Sequence, residues 1–189
     1  MNPTIGIVGR STTNEDGYSL IYAVNHVVRA VIKCGGNPLL IVPTQDVDYE
    51  SDQPGKIKRM EDIDKEILRD IINKCDGIIL PGGSKWYEYD EYVCKYAVDN
   101  NIPLLGICAG MQLLAKVLNN NKIDGVDNTR KNDSFINHSM PGEKYVHKIE
   151  IINNTLLSSI IDDKYIEVNS LHNYHVPMQL FFLASAYSA

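Results

Sequence analysis

The stretch NNIPLLGICAGMQLLAKVL, residues Asn100 to Leu118, decides the fold. An apolar run from Ile102 to Ile107 leads into Cys108, which has a glycine two positions away on either side. An apolar pattern of helical period follows at once. The stretch therefore predicts a strand, a sharp turn that carries a thiol, and a helix.

A thiol at such a turn is placed to attack a carbonyl carbon. The positive end of the following helix favours a thiolate, and the backbone N–H of Ala109 can stabilise an oxyanion. The sequence LPGGS offers a second donor, because Gly82 and Gly83 end the preceding predicted strand. We therefore expect Cys108 to be a nucleophile. The alternative is a structural cysteine in an ordinary strand-to-helix turn.

The rest of the chain alternates short apolar runs with helical patterns. Strands are predicted over 4–9, 38–43, 76–83 and 102–107, and helices over 19–36, 63–75 and 89–101. Such alternation favours a parallel sheet with helices on both faces, a doubly wound α/β fold of flavodoxin-like type, whose ligands lie at the carboxyl ends of the strands. After about residue 119 the pattern becomes a polar loop, followed by a C-terminal run of strands over 145–152, 164–170 and 179–188.

Composition excludes several function classes. The 189 residues are 44% hydrophobic, enough for one well-packed domain, and the net charge of −6 argues against nucleic acid and anionic membranes as partners. No apolar run is long enough to span a membrane and no signal peptide is visible, so we expect a cytoplasmic protein. The four cysteines do not have zinc-ligand spacing, and we expect no metal and no cofactor.

Several motifs together resemble a known family. GIILPGGS followed by GICAGMQLL is similar to the class I (triad-type) glutamine amidotransferases, and most of all to the γ-glutamyl-γ-aminobutyrate hydrolase group, peptidase family C26. HKIEI, VNSLHNY and LASAYSA resemble later segments of that group in the same order. The resemblance covers nearly the whole chain and implies a single domain over 1–189.

The resemblance assigns roles to residues of this chain. Cys108 would form a γ-glutamyl thioester, with oxyanion-hole N–H groups from Gly83 and Ala109. The implied substrate is a small γ-glutamyl amide, either glutamine or a γ-glutamyl-amine. The residues implied to shape its pocket or hold its glutamyl part are Gly82, Gln112, Ser170, Leu171 and His172. For Gln112 the alternative is an ordinary surface position on the helix.

The catalytic base departs from the family pattern. In the family a histidine and a glutamate lie in a C-terminal H-P-E segment, and no H-x-E occurs in these 189 residues. We therefore expect a C-terminally incomplete domain with impaired turnover, for which His172 is a weaker candidate base. Ala109 also stands where the hydrolase group usually has arginine, a difference that bears on the substrate more than on the fold.

Three functions compete at this point. The first is a γ-glutamyl amide hydrolase that acts alone or passes ammonia to a synthase subunit. The second is a non-catalytic truncated paralogue that binds a glutamyl ligand, a partner or a second copy of itself. The third is a thiol-based sensor or chaperone with a similar elbow, which the pairing of PGG with VNSLH disfavours. We expect a glutamine amidotransferase-like protein.

Overall fold

The computed structural model describes residues 1–45, 47, 58–83, 85–118 and 141–172, and the backbone of 186–188. The chain divides into two compact units, Met1–Asn120 and Asn121–Ala189. The single domain over 1–189 stays a prediction. In chain order the first unit contains β1 (Thr4–Val8), β2 (Arg10–Thr13), β3 (Ser19–Tyr22), α1 (Asn25–Lys33), β4 (Asn37–Ile41), α2 (Asp62–Ile72), β5 (Gly77–Leu80), α3 (Glu88–Asp99), β6 (Leu104–Gly106) and α4 (Ala109–Leu118).

The first unit is built on a parallel sheet with the strand order β4-β1-β5-β6. The main core lies on the sheet face that α2, α3 and α4 cover, and all four residues of β5 are buried. Helix α1 covers the other face, where Val31 packs with Ile7 and Ile79. The α/β fold with helices on both faces of a mainly parallel sheet is therefore confirmed.

The predicted helix over 19–36 is wrong in its first part. Residues 19–22 form β3, which pairs antiparallel with β2 in a hairpin, and α1 begins only at Asn25. The hairpin turn is closed by Asn14, whose Oδ1 accepts the N–H of Tyr18 at 2.7 Å, and by Gly17 at a φ of 83°. The Asp16-Gly17 pair is a hairpin signal that favours this turn over a helix.

The second unit contains a three-stranded antiparallel sheet of order β8-β7-β9. Its strands are β7 (His147–Ile151), β8 (Tyr165–Val168) and β9 (Ala186–Ser188), and a 3₁₀ helix spans Leu157–Ser159. The strands predicted over 145–152 and 164–170 are confirmed. Residues 119–140 of the predicted loop over 119–144, and most of the last predicted strand, lie outside the described residues. No helix in the described part of the chain is long and apolar enough to cross a membrane.

Candidate active site

Cys108 lies at the turn between β6 and α4, as the sequence predicts. Its φ is +51°, in the left-handed region that a residue with a side chain seldom adopts. Such a conformation costs on the order of 1 kcal/mol and is typical of functional sites. The side chain is exposed, and the Cys108 carbonyl accepts the N–H of Gln112 at 3.0 Å, the first hydrogen bond of the helix. The thiol therefore stands clear of the sheet at the start of α4.

The two glycines that flank the cysteine are required by close backbone contacts. A Cβ at Gly110 would lie 2.2 Å from the carbonyl oxygen of Leu80, at the end of β5. A Cβ at Gly106 would lie 2.6 Å from the Cα and N atoms of Met111. No real Cβ atom tolerates such distances from backbone, so the elbow needs glycine at both positions.

The PGG turn, residues 81–83, follows β5 and lies beside the elbow. Strand β5 pairs with β6 in parallel register, and the N–H of Ile107 donates to the Leu80 carbonyl at 2.9 Å. A Cβ at Gly82 would lie 3.3 Å from the Cβ of Cys108. The structure thus brings Gly82 against Cys108, with Gly83 next in the chain and Ala109 beginning α4. The N–H of Ala109 has no partner within the helix, as is general for a first turn.

An arginine that the sequence analysis missed holds the PGG turn. Arg10 is 5% exposed, and its Nη2 donates to the Pro81 carbonyl at 2.9 Å while its Nε donates to the Gly82 carbonyl at 3.4 Å. Its Nη1 forms an ion pair with the fully buried carboxylate of Asp90. Burial alone would lower the pKa of Arg10, but Asp90 and Tyr89 together outweigh burial and raise this pKa above its ordinary value. The feature of the sequence that could have indicated this role is a charged residue directly after the first buried strand.

Gln112 lies one helical turn beyond the cysteine and is buried, with 8% of its surface exposed. It is therefore not an ordinary surface residue. Its side chain makes no hydrogen bond to another described residue, although an unpaired buried amide is costly. The aromatic residues near the PGG turn serve packing, since Tyr87 and Tyr89 belong to the main core and Trp86 packs against it.

The second unit carries the remaining predicted site residues. Ser170 is buried, Leu171 is exposed and His172 is half-buried, directly after β8. They lie in the unit Asn121–Ala189, whereas Cys108 and the PGG turn lie in Met1–Asn120. Their roles at the site stay predictions.

The other three thiols differ from Cys108 in their surroundings. Cys94 is fully buried in α3, and burial raises its pKa to about 12. Burial also raises the pKa of Cys75. Cys34 is exposed at the end of α1. Among the described residues no group of His, Cys, Asp or Glu is arranged to hold a metal ion.

Comparisons with known proteins find one family model and several curated relatives. The sequence model of Peptidase C26 matches residues 87–180. A CTP synthase from Thermosipho africanus is 26% identical over 94% of this chain, which corresponds to 34% of that protein. A CTP synthase from Sulfolobus acidocaldarius is 35% identical over 58% of this chain and 18% of that protein. The chain thus spans about a third or less of the curated relatives that it matches.

A solved structure has the same fold. The glutaminase domain of Trypanosoma brucei CTPS, determined with bound acivicin, matches 93% of this chain and 68% of that one with a TM-score of 0.51. The sequences are 17% identical, so this likeness concerns the fold alone.

Proposed function

We propose that this chain, a class I glutamine amidotransferase-like protein, hydrolyses the side-chain amide of glutamine or of a related γ-glutamyl-amine through a thioester at Cys108. The observation that carries the proposal is the strained, exposed Cys108 at the start of α4 with the PGG turn against it. Strain of this kind persists only where surrounding structure enforces it, and here two backbone contacts do so.

The chemistry has two steps. In the first, the Cys108 sulfur attacks the γ-carboxamide carbon, and the N–H groups of Ala109 and Gly83 stabilise the negative charge on its oxygen. The C–N bond then breaks, the nitrogen takes up a proton and leaves as ammonia or an amine, and a thioester remains. In the second, water attacks the thioester carbon and gives a proton to the group that had protonated the leaving nitrogen, the C–S bond breaks, and glutamate leaves while the sulfur regains its charge.

Substrate recognition follows from the buried amide of Gln112. Because this amide lacks a hydrogen-bond partner among the described residues, a bound glutamyl group would supply one. The loop of Ser170, Leu171 and His172 would line the pocket, as the family resemblance implies. His172 is a weaker candidate for the group that protonates the leaving nitrogen.

Ammonia, the proposed product, is the nitrogen source that an amidating partner would use. Relatives of this chain are named CTP synthase, and the solved neighbour, which this chain resembles in fold over 68% of that neighbour's length, is named a glutaminase domain. We propose that the chain supplies ammonia to such a synthase, either as a separate subunit or as one domain of a longer protein.

Glutamate release from glutamine tests the proposal. Wild-type chain should release glutamate, and Cys108→Ser should lower the rate by about 10⁴-fold, since loss of a nucleophile removes the covalent route. Cys34→Ser is the matched control, an exposed cysteine outside the site that should leave the rate unchanged. Comparing glutamine with γ-glutamyl-γ-aminobutyrate identifies the preferred amide. Absence of Cys108-dependent release for both would favour the alternative, a protein that binds γ-glutamyl ligands without hydrolysing them.

A further inference from the structure

The side chain of Arg10 contacts the turn that the proposed reaction uses. It leaves β2 at its first residue and reaches the carbonyls of Pro81 and Gly82, 71 and 72 residues later in the chain. Its side chain is 6% exposed, so these hydrogen bonds form away from bulk water. A buried guanidinium is costly unless its donors are paired, so its several acceptors fix where it lies.

The guanidinium is itself held by the start of α3. Asp90 pairs with Arg10 through Oδ1, and its Oδ2 accepts the backbone N–H of Tyr87 at 2.9 Å. The Tyr89 hydroxyl lies 3.5 Å from Arg10 Nη1 and donates to the Gly9 carbonyl at 3.2 Å. Both Tyr89 and Asp90 are fully buried. Arg10 therefore has one well-defined orientation, set by a helix that packs in the main core.

The planar peptide links this orientation to the site. The Gly82 carbonyl and the Gly83 N–H belong to one trans peptide unit and point in opposite directions. Because Arg10 holds the carbonyl, the N–H of Gly83 is turned away from Arg10. The space beside each glycine agrees with this orientation. A Cβ added at Gly82 would lie 3.3 Å from the Cβ of Cys108, and one added at Gly83 would lie 3.5 Å from Arg10 Nε.

We propose that Arg10 is a positioning residue for the reaction: it holds the Gly82–Gly83 peptide so that the Gly83 N–H faces the oxyanion formed at Cys108. This inference rests on the proposed glutamyl amide hydrolysis. Glycine has few steric limits on φ and ψ. A turn with two consecutive glycines therefore needs hydrogen bonds from another part of the chain to fix its conformation. Asp90 contributes indirectly, because its ion pair with Arg10 fixes the orientation of the guanidinium.

Arg10→Lys is the direct test, because lysine keeps the charge beside Asp90 but lacks the forked donors that reach two carbonyls. Loss of one oriented oxyanion donor lowers kcat by about 100-fold, and the KM for glutamine should change by less than about threefold. The matched control is Arg59→Lys, which alters an arginine with an 89% exposed side chain paired with Glu88. It should leave both constants unchanged.

A second readout separates positioning from general damage. Iodoacetamide alkylates a thiolate at a tetrahedral carbon, so it forms no oxyanion and needs no Gly83 N–H. Its rate at Cys108, measured on the Cys108 peptide by mass spectrometry, should stay within about twofold of wild type in Arg10→Lys. A positioning role thus lowers glutamine turnover and spares alkylation, whereas a purely structural role lowers both or neither.

Each outcome decides the inference. Unchanged kcat in Arg10→Lys, or a parallel loss of turnover and alkylation, overturns it while leaving the proposed function in place. If Arg10→Lys does not fold, Asp90→Asn replaces it: this isosteric change frees the guanidinium and should lower kcat by about 10-fold with alkylation spared, and an unchanged kcat overturns the inference. A wild-type chain that hydrolyses no γ-glutamyl amide overturns the proposed function and the role of Arg10 together.

Discussion

Two glycine-containing turns meet at the candidate site, and they are held in different ways. The elbow, residues 106–110, is fixed by its own backbone, which packs so closely against Leu80 and Met111 that no Cβ fits at Gly106 or Gly110. The PGG turn makes no contact as close as these: a Cβ at Gly82 would lie 3.3 Å from the Cβ of Cys108, and one at Gly83 would lie 3.5 Å or more from its neighbours. It is held instead by the distant side chain of Arg10. One turn depends on local sterics, and the other depends on a buried ion pair.

The largest effect is expected from a substitution that disrupts the elbow. Gly110→Ala places a Cβ 2.2 Å from the Leu80 carbonyl oxygen and should lower the free energy of unfolding by about 3 kcal/mol, as overpacking does. In an ordinary helix the same substitution would stabilise by roughly 1 kcal/mol, so the sign itself is informative. Urea denaturation measures the change.

The control for that substitution is Gly77→Ala, in the neighbouring strand β5. A Cβ there would meet its nearest atom at 3.5 Å, an ordinary van der Waals contact, so the loss should stay below about 1 kcal/mol. Equal losses at positions 77 and 110 would contradict the steric account of the elbow.

A smaller effect is expected from the backbone strain at Cys108. At a φ of +51° glycine is favoured over a residue with a Cβ, so Cys108→Gly should be more stable than Cys108→Ala by about 1 kcal/mol. The paired control is Cys34, at the end of α1 with a φ of −83°, where glycine should be no more stable than alanine. Thermal or urea unfolding of the four variants gives the comparison. An alanine variant at 108 as stable as the glycine variant would show that the elbow stores no strain.

The smallest effect belongs to the PGG turn. Gly83→Ala adds a Cβ at ordinary contact distance from Arg10 Nε and keeps the backbone N–H, so stability should change by less than about 0.5 kcal/mol. Urea denaturation beside Gly110→Ala checks this. A loss as large as that at Gly110 would mean that both turns depend on close backbone packing.

The sequence was informative where structure depends on neighbours in the chain. Strands β1, β4, β5 and β6 are apolar runs, and the glycines around Cys108 are readable because each acts within a few residues or at the end of an adjacent strand. It failed at the hairpin, where Leu20, Ile21 and Tyr22 look like a helix face but lie exposed in β3. The local turn at Asp16-Gly17 outweighed the apolar period there.

The hydrogen bonds from Arg10 to the PGG turn could not be predicted from the sequence, for a different reason. Nothing near Gly82 in sequence indicates that an arginine 72 residues earlier donates to its carbonyl. A buried ion pair such as that of Arg10 with Asp90 is a product of the tertiary fold, because either residue alone is typical of a surface. Sequence patterns therefore predicted the position of Cys108 at a strand-to-helix turn, and only the three-dimensional structure showed the hydrogen bonds from Arg10 to the turn beside it.

The central claim is the proposal that Cys108 is the nucleophile for γ-glutamyl amides, and intact mass after acivicin treatment tests it most directly. We expect one adduct per chain, lost in Cys108→Ser and blocked by excess glutamine. Cys94 should stay unmodified, because it is fully buried and burial raises its pKa to about 12. No adduct, or adducts that persist in Cys108→Ser and ignore glutamine, would contradict the account.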